Sequence, residues 1–567
     1  AKAGIEMLKQ GGNAIDAAVA TGFAICVVEP NNTSIAGVGF MLCHLASGVG
    51  EFSPGTNLVI EYGPRAPKSA QNDMFKITGP GAGISTYSVK DNENEQGYRS
   101  IALPGTAMGL YSAHALLGKL PIKQIMEPAI HLAQEGFEVD WLLSLMIGSS
   151  MDGLQRYPAS REIFLPTGFP PKYLPDPSST DQIVEKLIQK DLAEVLKQIA
   201  HHGPAGIYKG EIAAYIEEDM QENGGLINRE DLADYCATIT KPLTHRFREY
   251  ELTAPTAPCG SWTALQILNI LENFDLRTMG HNSVEYLHAF LESSRHAFAD
   301  RYRYLGDPDF TNIPLNGLLS KEYGAQLAST VNPNRSDIES LSDKPPWDYF
   351  ESKELHNPWI FDSSVEDVVQ HESSGNQALD CTTHFGTADS EGNVVSCTQT
   401  AVSTFGSKVV TKDLGFVWNN GMVWFNPKAG TANSIAPWKR PLVNMAPLLA
   451  LSKRVNGPVL SVGSPGGRQV TSANLNVVLN ILEFGMSPQE GITASRTDAA
   501  GPVNLVDSRL DTSVVKSLRE MGHAIRVVND IESWYSFARP SAILVDKERG
   551  ILRAGTHTLQ TAQVLGY

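Results

Sequence analysis

Two threonines, Thr382 and Thr400, stand where a pair of hydroxyls could be brought together. Residues 380–386 read DCTTHFG and residues 393–400 read NVVSCTQT, and both runs alternate as β-strands do. The turn formers DSEG at 389–392 lie between them, so the sequence predicts a β-hairpin. If the peptide bond before Thr382 were cut, that residue would carry a hydroxyl nucleophile and, in its α-amine, a base. Adjacent threonines are also common in β-strands for their β-branched shape alone, so a catalytic and a purely structural interpretation both stay open.

A glycine-rich turn supplies a second element that acyl-transfer chemistry needs. The apolar run at 457–462 is followed by GSPGG at 463–467 and then by a segment of helical character. A strand, a glycine turn and a helix leave the amides of Gly466 and Gly467 unpaired at the positive end of the helix. Such amides suit the oxyanion of a tetrahedral intermediate, although a tight strand–helix connection needs glycine as well.

In their order and spacing these segments resemble the γ-glutamyltranspeptidase family of N-terminal-nucleophile hydrolases. The resemblance runs nearly end to end, although Ala36 and Val38 replace glycines usual in the family. Each short motif is weak by itself, whereas the ordered series is specific. The matching segments are GGNAIDAA (11–18), IAGVGFML (35–42), PGT (104–106), PAI (128–130), EGF (135–137), YKG (208–210), GGL (224–226), ADR (299–301), LGDP (305–308), TTH (382–384) and GSPGG (463–467).

The resemblance implies an α+β fold, a four-layer αββα sandwich forming one structural unit. It also implies that the chain cuts itself between Cys381 and Thr382. Residues 1–381 would then be a large subunit and residues 382–567 a small one, held together as a heterodimer. The polar stretch 343–381 would be a mobile segment before the cut, and an ordinary surface linker would have the same composition.

Catalytic roles also follow from the resemblance. Thr382 would be the nucleophile and Thr400 would hydrogen-bond it, while the amides of Gly466 and Gly467 would bind the oxyanion. His384 is expected to be a strand residue, since an α-amine would already serve as the base.

The positions at which the family recognises a glutamyl head group are changed in this chain. Gly63 stands where the family has an arginine that clamps the α-carboxylate, and residues 441–445 read PLVNM where the family has PLSSM. No acidic residue follows the NNGM segment at 419–422, and Val402 replaces an expected asparagine. Because a bidentate arginine–carboxylate contact is strong and geometry-specific, its loss predicts a non-glutamyl acyl group.

The predicted substrate-binding residues are Arg65, Val402, Asn420, Trp424 and Asn444. Valines at 402, 423 and 443 make the expected pocket apolar, whereas Arg65 could hold a remote carboxylate or lie unused in a Pro-flanked loop; Arg468 is another candidate for the carboxylate. Family branches that lack the glutamate set include enzymes resembling oxamate amidohydrolases and cephalosporin acylases. Three alternatives stay open: an amidohydrolase of a small-molecule amide, a γ-glutamyl hydrolase or transpeptidase with unusual contacts, and an inactive binding scaffold.

Net charge and cysteine spacing indicate which classes of partner and cofactor the chain is expected to lack. The net charge of −17 and the pI of 5.3 argue against nucleic acid and anionic membranes. The six cysteines show neither CxxC nor disulfide-like spacing, so we expect no metal site, free buried thiols and a reducing, cytoplasmic compartment. We find no nucleotide motif and expect no cofactor, while a homo-oligomer stays open. The chain begins within the family's first helix, so we expect upstream residues to be missing.

Two segments predict helices that carry scaffold rather than chemistry. Residues 283–304 combine apolar and charged side chains at helical spacing and predict a core helix. Residues 181–199 predict an amphipathic helix for the same reason.

Overall fold

Two antiparallel β-sheets packed face to face form the middle of the molecule. The structure, a computed structural model, describes residues 1–81, 87–174, 184–336, 356–362, 380–501, 503–530, 536–559 and 561–567. The strands in these residues are β1 (Val38–Leu45), β2 (Thr56–Tyr62), β3 (Ile77–Pro80), β4 (Tyr87–Val89), β5 (Phe137–Glu138), β6 (Lys186–Leu187), β7 (Thr238–Thr240), β8 (Leu243–Phe247), β9 (Tyr250–Ala254), β10 (Asp380–Ala388), β11 (Val394–Ser403), β12 (Leu448–Ser452), β13 (Gly457–Gly463), β14 (Thr497–Asp498), β15 (Asn504–Asp507), β16 (Ile525–Val528), β17 (Ser541–Asp546) and β18 (Ile551–Thr556).

The first sheet has the strand order β10-β11-β1-β2-β7, and the second has the order β18-β17-β13-β12-β9-β8. Neighbouring strands are antiparallel throughout both sheets. A small third sheet, β14-β15-β16, lies outside the pair. Each large sheet contains strands from both sides of the predicted cut, which meet where β11 pairs with β1 and where β12 pairs with β9.

Helices cover the outer faces of the two sheets. Helices α2 and α3 contact the first sheet, and α12, α17 and α18 contact the second. The helices in the described residues are α1 (Lys2–Lys9), α2 (Ala14–Val28), α3 (Thr106–Leu117), α4 (Ile122–Glu135), α5 (Trp141–Ser149), α6 (Met151–Leu154), α7 (Pro158–Phe164), α8 (Lys190–His202), α9 (Ala205–Tyr208), α10 (Gly210–Glu222), α11 (Arg229–Asp234), α12 (Ser261–Leu271), α13 (Leu276–Met279), α14 (Val284–Tyr304), α15 (Leu315–Leu318), α16 (Lys321–Thr330), α17 (Val470–Leu482), α18 (Pro488–Thr493) and α19 (Thr512–Glu520).

The four layers follow from strands that are apolar on both faces. In β1, Phe40 and Leu42 enter the apolar cluster between the sheets, whereas Met41 and Cys43 enter the cluster under the helices. Successive side chains of a strand point to opposite faces, so a fully apolar strand needs cover on both sides. Strand β12 does the same in the second sheet, with Leu449 between the sheets and its neighbours facing helices. The predicted four-layer αββα fold is therefore confirmed.

Helix α2 holds the β10–β11 hairpin in place. The helix begins with a capping box in which the Asn13 side chain accepts from the Asp16 amide and the Asp16 carboxylate accepts from the Asn13 amide. The amide of Ala14, at the first helical position, donates to Asp389 Oδ2 at 2.8 Å, and Thr387 Oγ1 donates to the Ala14 carbonyl at 2.7 Å. Both contacts come from the turn end of the hairpin, so its register is fixed against the helix.

Most predicted elements are present, with corrections at two places. The hairpin, the core helix α14 and the strand–turn–helix around residues 463–467 are confirmed. Residues 181–183 of the helix predicted over 181–199 lie outside the described residues, and the rest of that prediction is wrong in its bounds. Helix α8 begins at Lys190, and residues 186 and 187 form β6, because their pairing with β5 overrides helical propensity. The thiol of Cys236 is exposed instead of buried, whereas the other four described thiols are free and buried.

The segment predicted to be mobile, 343–381, lies mostly outside the described residues. Its part at 356–362 is described and is docked on α14: His356 Nδ1 lies 2.7 Å from Asp300 Oδ1, and both side chains are buried. The α14 residue Tyr304 also donates through its hydroxyl to the His356 carbonyl at 2.5 Å. This part of the segment is therefore anchored to the core helix.

Substitution of Gly463 tests the packing of the two sheets on each other. A Cβ at Gly463 would collide with the ring of His384 across the interface, and both residues lie within strands. We expect Gly463→Ala to destabilise the protein by about 1–3 kcal/mol, the usual cost of overpacking a core. Gly386→Ala is the control, because its Cβ would meet the flexible end of Ile543 at 3.0 Å and Ser461 Oγ at an ordinary contact distance of 3.5 Å. Equal midpoints of urea unfolding for the two variants would contradict this account.

Candidate active site

A β-bulge singles out Thr382 in the hairpin. Cys381 pairs with Val402 and Thr383 pairs with Gln399, so Thr382 alone faces two residues of β11, Thr400 and Ala401. A bulge re-aims a side chain out of the regular alternation and recurs beside active sites. The strand runs unbroken through the Cys381–Thr382 bond, so this is the geometry of the uncut chain.

The two threonine hydroxyls lie together, as the hairpin predicts. Thr382 Oγ1 donates to Thr400 Oγ1 at 3.2 Å, and both residues are buried. Thr400 Oγ1 also accepts from the amide of Val402 at 2.7 Å. Val402 reaches this position with a φ of 86°, a left-handed conformation that is a real outlier for a β-branched residue. Strain of this kind, of order 1–3 kcal/mol, is characteristic of functional sites.

Strand β1 supports Thr400 from the other side. Val38 is paired with Thr400, and a Cβ on the adjacent Gly37 would lie 2.6 Å from the Thr400 carbonyl oxygen. The Gly37 carbonyl in turn accepts from the amides of Gly105 and Thr106 at 2.7 and 2.9 Å. The glycine at 37 is thus required because two backbones meet there, which explains one glycine of the IAGVGF segment.

The glycine turn lies against the same end of the hairpin. Residues 467–469 form a turn of 3₁₀ helix that packs on β10, and α17 follows at once. Gly466 and Gly467 have φ values of 135° and 58°, which only glycine adopts readily. Across the described residues neither amide donates to another group of the chain. Two free N–H groups ahead of a helix are therefore available to an anion.

Side-chain bonds fix the start of that turn. Ser464 Oγ donates to Asn474 Oδ1 at 2.8 Å, and Asn474 Nδ2 donates to the Ala446 carbonyl at 2.7 Å. All three residues are buried. The turn is thereby tied to the first helical turns of α17.

His384 is a packed strand residue. Its Nδ1 lies 2.8 Å from Thr398 Oγ1, and burial lowers the pKa of its ring to about 3. The imidazole is therefore neutral at any working pH and is not poised for proton transfer near neutrality. This agrees with the interpretation of His384 from the sequence.

Of the predicted substrate-binding residues, Arg65 lies beyond the end of β2 and is partly exposed. Its Nη1 donates to the Trp438 carbonyl at 3.2 Å, and its Cζ lies 5.7 Å from the Trp438 ring centroid. Trp438 has a φ of 65°, a second strained non-glycine residue in this region. The remaining four Nη and Nε hydrogens and the exposed edge leave Arg65 able to bind an anion.

The two predicted asparagines are bonded within the protein. Asn420 Nδ2 donates to the Glu95 carbonyl and to Ser403 Oγ, and its Oδ1 accepts from the Ser403 amide at 2.9 Å. Asn444 Oδ1 accepts from Arg301 Nη2 at 2.8 Å. In the uncut chain these side chains therefore act as scaffold, and their contact with substrate stays a prediction.

The predicted apolar residues come together in the cluster between the sheets. Val402, Val423, Trp424 and Val443 are all buried members of it. The indole Nε1 of Trp424 is buried with no hydrogen-bond partner among the described residues. A buried unpaired donor is costly, and a ligand acceptor would satisfy it.

The sequence analysis missed a buried ion network beside this cluster. Arg440 donates to Asp307 at 2.6 Å, to Asp309 at 3.0 Å and to Glu61 at 3.1 Å. Burial raises the pKa of Glu61 despite the guanidinium beside it. The LGDP motif at 305–308 contained Asp307, but its partner is 133 residues away in sequence, so no local pattern could identify the pair.

The described residues also bring together one group that could be considered for a metal. Ligand atoms of His288, Glu292 and His523 lie within 4.8 Å of one another and are buried. However, His288 Nδ1 and His523 Nε2 are 2.7 Å apart and hydrogen-bonded. Two nitrogens on one tetrahedral zinc, at roughly 2.05 Å each, would be about 3.3 Å apart. We therefore assign this group a structural role on α14.

The family model described as Gamma-glutamyltranspeptidase matches residues 1–567. The chain belongs to the γ-glutamyltranspeptidase family. Within the described residues, no helix is both long and apolar enough to cross a bilayer.

Relatives of this chain carry two kinds of name. It is 31% identical over 566 residues to the glutathione hydrolase proenzyme of Bacillus subtilis (strain 168), covering 99% of this chain and 89% of the relative. It is 33% identical to the acylase ACY 1 proenzyme of Pseudomonas sp. (strain V22), covering 92% and 85%. The chain is therefore a hydrolase or transferase of this family.

Solved structures agree with the fold. Cephalosporin acylase from Bacillus halodurans superposes with a TM-score of 0.82 at 25% identity, covering 100% of this chain and 94% of that one. The γ-glutamyltranspeptidase of Helicobacter pylori gives a TM-score of 0.53 at 33% identity, covering 61% of this chain and 93% of that one. The αββα architecture is thus that of N-terminal-nucleophile hydrolases.

The hydroxyl pair can be tested at Thr400. We expect the isosteric Thr400→Val to lower kcat for amide hydrolysis at least tenfold, because it removes the group that orients Thr382 and leaves the Val402 amide unpaired. Thr400→Ser keeps the oxygen and should stay within about threefold of wild type by the same arithmetic. Steady-state kinetics decide: a raised KM with unchanged kcat would instead make Thr400 a substrate contact.

Proposed function

We propose that this chain is an autoprocessing amidohydrolase that cleaves a C–N amide bond through an acyl-enzyme on Thr382 and accepts a non-glutamyl acyl group. The observation that carries the proposal is the buried Thr382–Thr400 hydroxyl pair at a bulge, beside a glycine turn with two free amides. The proenzyme names of the relatives support cleavage into two fragments.

Processing requires one intramolecular acyl shift. Thr382 Oγ attacks the carbonyl carbon of Cys381, the C–N bond breaks, and the hydroxyl proton passes to the released amine. Water then hydrolyses the ester, which leaves a carboxylate on Cys381 and a free α-amine on Thr382. The strained bulge supports this step, because it turns the Thr382 side chain out of the ladder.

Amide hydrolysis then uses the new N-terminus. The α-amine, with an ordinary pKa of about 7.7–8.0, takes the Oγ proton as Oγ attacks the substrate carbonyl. The oxyanion forms within reach of the Gly466 and Gly467 amides, and the proton passes to the leaving amine as the C–N bond breaks. Water releases the acyl group in a second addition and elimination at the same carbon.

The acyl side of the site favours a group without an α-amine. Asn420 and Asn444 are already bonded within the chain, and the pocket wall of Val402, Val423 and Trp424 is apolar. The carboxylates beside this cluster, Glu61 and Asp307, are already paired with Arg440. A free ammonium would therefore be buried without a counter-charge, which is costly.

The sheet register relates Gly63 and Arg65 to the nucleophile. Thr400 pairs with Val38, and Gly39 pairs with Tyr62, so Gly63 lies in line with Thr400 across the first sheet. This line from β10 to β2 spans three strand spacings, roughly 14 Å. Arg65 lies two residues farther along the same side, which supports contact with a carboxylate at the far end of an extended acyl group.

Processing is tested by mass. We expect wild-type protein to yield a small fragment beginning at Thr382, and Thr382→Ala to stay uncut and inactive, because the attacking oxygen is gone. Cys381→Ala should still be cut, since only its carbonyl takes part. Intact mass and N-terminal sequencing measure this, and an uncut wild-type chain with full activity would refute it.

A matched series of anilides tests the acyl group. γ-Glutamyl, glutaryl and pentanoyl p-nitroanilides share a five-carbon chain and differ by the α-amine and then the carboxylate. We expect glutaryl or pentanoyl turnover to exceed γ-glutamyl turnover at least tenfold in kcat/KM, because an unpaired ammonium in the pocket costs more than about 1.4 kcal/mol. Oxamate extends the panel to a short acyl group. Comparable γ-glutamyl turnover would favour the glutathione hydrolase alternative.

Arg65→Ala then distinguishes two hypotheses about the acyl pocket, one in which Arg65 binds a carboxylate and one in which the pocket is wholly apolar. If Arg65 holds the carboxylate, KM for the glutaryl anilide rises at least tenfold in Arg65→Ala, whereas KM for the pentanoyl anilide is unchanged. Lys209→Ala, an exposed cation in the Lys209–Gly210 turn, is the control for net charge. No change with either anilide would favour a wholly apolar acyl pocket.

A further inference from the structure

We propose that Arg496, buried in a small ion cluster between α18 and β14, is a positioning residue for the glycine turn at Gly466 and Gly467. It touches neither reacting group and acts through the segment 536–540. The inference rests on the oxyanion role that the proposed function gives to the two glycines.

The buried side chain of Arg496 contacts the segment 536–540 through a hydrogen bond and a ring contact. The side chain is 1% exposed, its Nη1 donates to the Ala538 carbonyl, and its Cζ lies 5.6 Å from the Phe537 ring centroid. Its Nη2 donates to Asp530 Oδ2 at 2.8 Å. One rigid guanidinium therefore ties two consecutive residues of the segment to a fixed carboxylate.

The segment 536–540 packs directly against the glycine turn. The amide of Arg539 donates to the Pro465 carbonyl at 3.0 Å. A Cβ on Gly466 would lie 2.5 Å from Ala538 Cβ and 2.6 Å from its Cα, so the two backbones are in contact with no room between them. A displacement of Ala538 is therefore passed on to Gly466, whose φ of 135° depends on that contact.

The carboxylate that holds Arg496 is itself well anchored. Asp530 Oδ2 lies 3.2 Å from His557 Nε2 and 3.8 Å from Arg509 Nη2. Burial alone would raise the pKa of Asp530, but the bonds from His557 and Arg496 lower it to about 2. Asp530 is thus charged across the working pH range and provides a fixed counter-ion for the guanidinium.

Lysine cannot reproduce this arrangement. An ammonium is a single point of donation, whereas the guanidinium reaches the Ala538 carbonyl and the Asp530 carboxylate with separate nitrogens. Arg496→Lys therefore keeps the charge but loosens one of the two contacts. This makes it the informative variant, while Arg496→Ala would leave Asp530 buried without its partner.

The far end of α17 offers a matched control. Arg248 donates to Glu483, the C-cap of α17, at 2.8 Å and also to the Glu272 and Phe274 carbonyls. The helix is 13 residues long, so this second arginine cluster lies about 20 Å from the glycine turn. Arg248→Lys should weaken the fold without moving Gly466.

The test compares Arg496→Lys and Arg248→Lys in the processed enzyme with glutaryl p-nitroanilide, and by hydrogen exchange of the peptide 463–469. We expect Arg496→Lys to lower kcat at least tenfold with KM within about twofold, because misplacing an oxyanion donor acts on the transition state. Exchange in peptide 463–469 should rise at least fivefold. Arg248→Lys should lower Tm without either change.

Two outcomes separate this proposal from the proposed function. Unchanged exchange at 463–469 in Arg496→Lys, or equal losses of kcat in both variants, would overturn the positioning role. Faster exchange with no wild-type turnover of any anilide or of oxamate would uphold the positioning role and refute the proposed chemistry. If Arg496→Lys does not fold, Asp530→Asn, which keeps the acceptor and removes the charge, takes its place with the same expectations at smaller size.

Discussion

The hydrogen bond between the Thr382 and Thr400 hydroxyls is the contact on which the rest of the site depends. It exists because one residue of β10 faces two of β11 at the bulge, which turns Thr382 out of the regular ladder. Thr400 is held from the opposite side by β1, where Gly37 admits its carbonyl oxygen. Helix α2 keeps the whole hairpin in register through its capped N-terminus. The geometry of the hydroxyl pair is thus set by three strands and a helix together.

The second sheet positions the glycine turn beside the hydroxyl pair. Strand β13 ends beside His384, and the glycine turn that follows it packs on the strand that carries Thr382. A site between two sheets is shielded from water, so hydrogen bonds to a developing charge are stronger there. The Arg496 cluster contacts the glycine turn at 463–467 through Ala538 and Arg539. In the proposed mechanism the first sheet would carry the hydroxyl pair, and the second sheet would carry the turn that binds the oxyanion.

Most polar groups near the expected acyl pocket are hydrogen-bonded to other groups of the protein. Asn444 accepts from Arg301, and burial lowers the pKa of that guanidinium to about 10. Arg440 is hydrogen-bonded to both Glu61 and Asp307. What is left for a ligand is an apolar wall, the unpaired indole N–H of Trp424 and the edge of Arg65. This distribution favours an acyl group that brings an acceptor, and it disfavours one that brings an ammonium.

The sequence by itself determined the family, the hairpin, the core helix α14 and the glycine turn, because these depend on local periodicity and on ordered motifs. It placed Thr382 beside Thr400 because hairpin pairing is a short-range constraint. The tertiary structure alone decided the bulge, the strained φ of Val402 and the Arg440 and Arg496 networks. Their partners are far apart in the chain: Arg440 and Asp307 are 133 residues apart, and no periodic pattern encodes such a pair. The start of α8 was likewise decided by β6 pairing with β5, a long-range contact that overrode local helical periodicity.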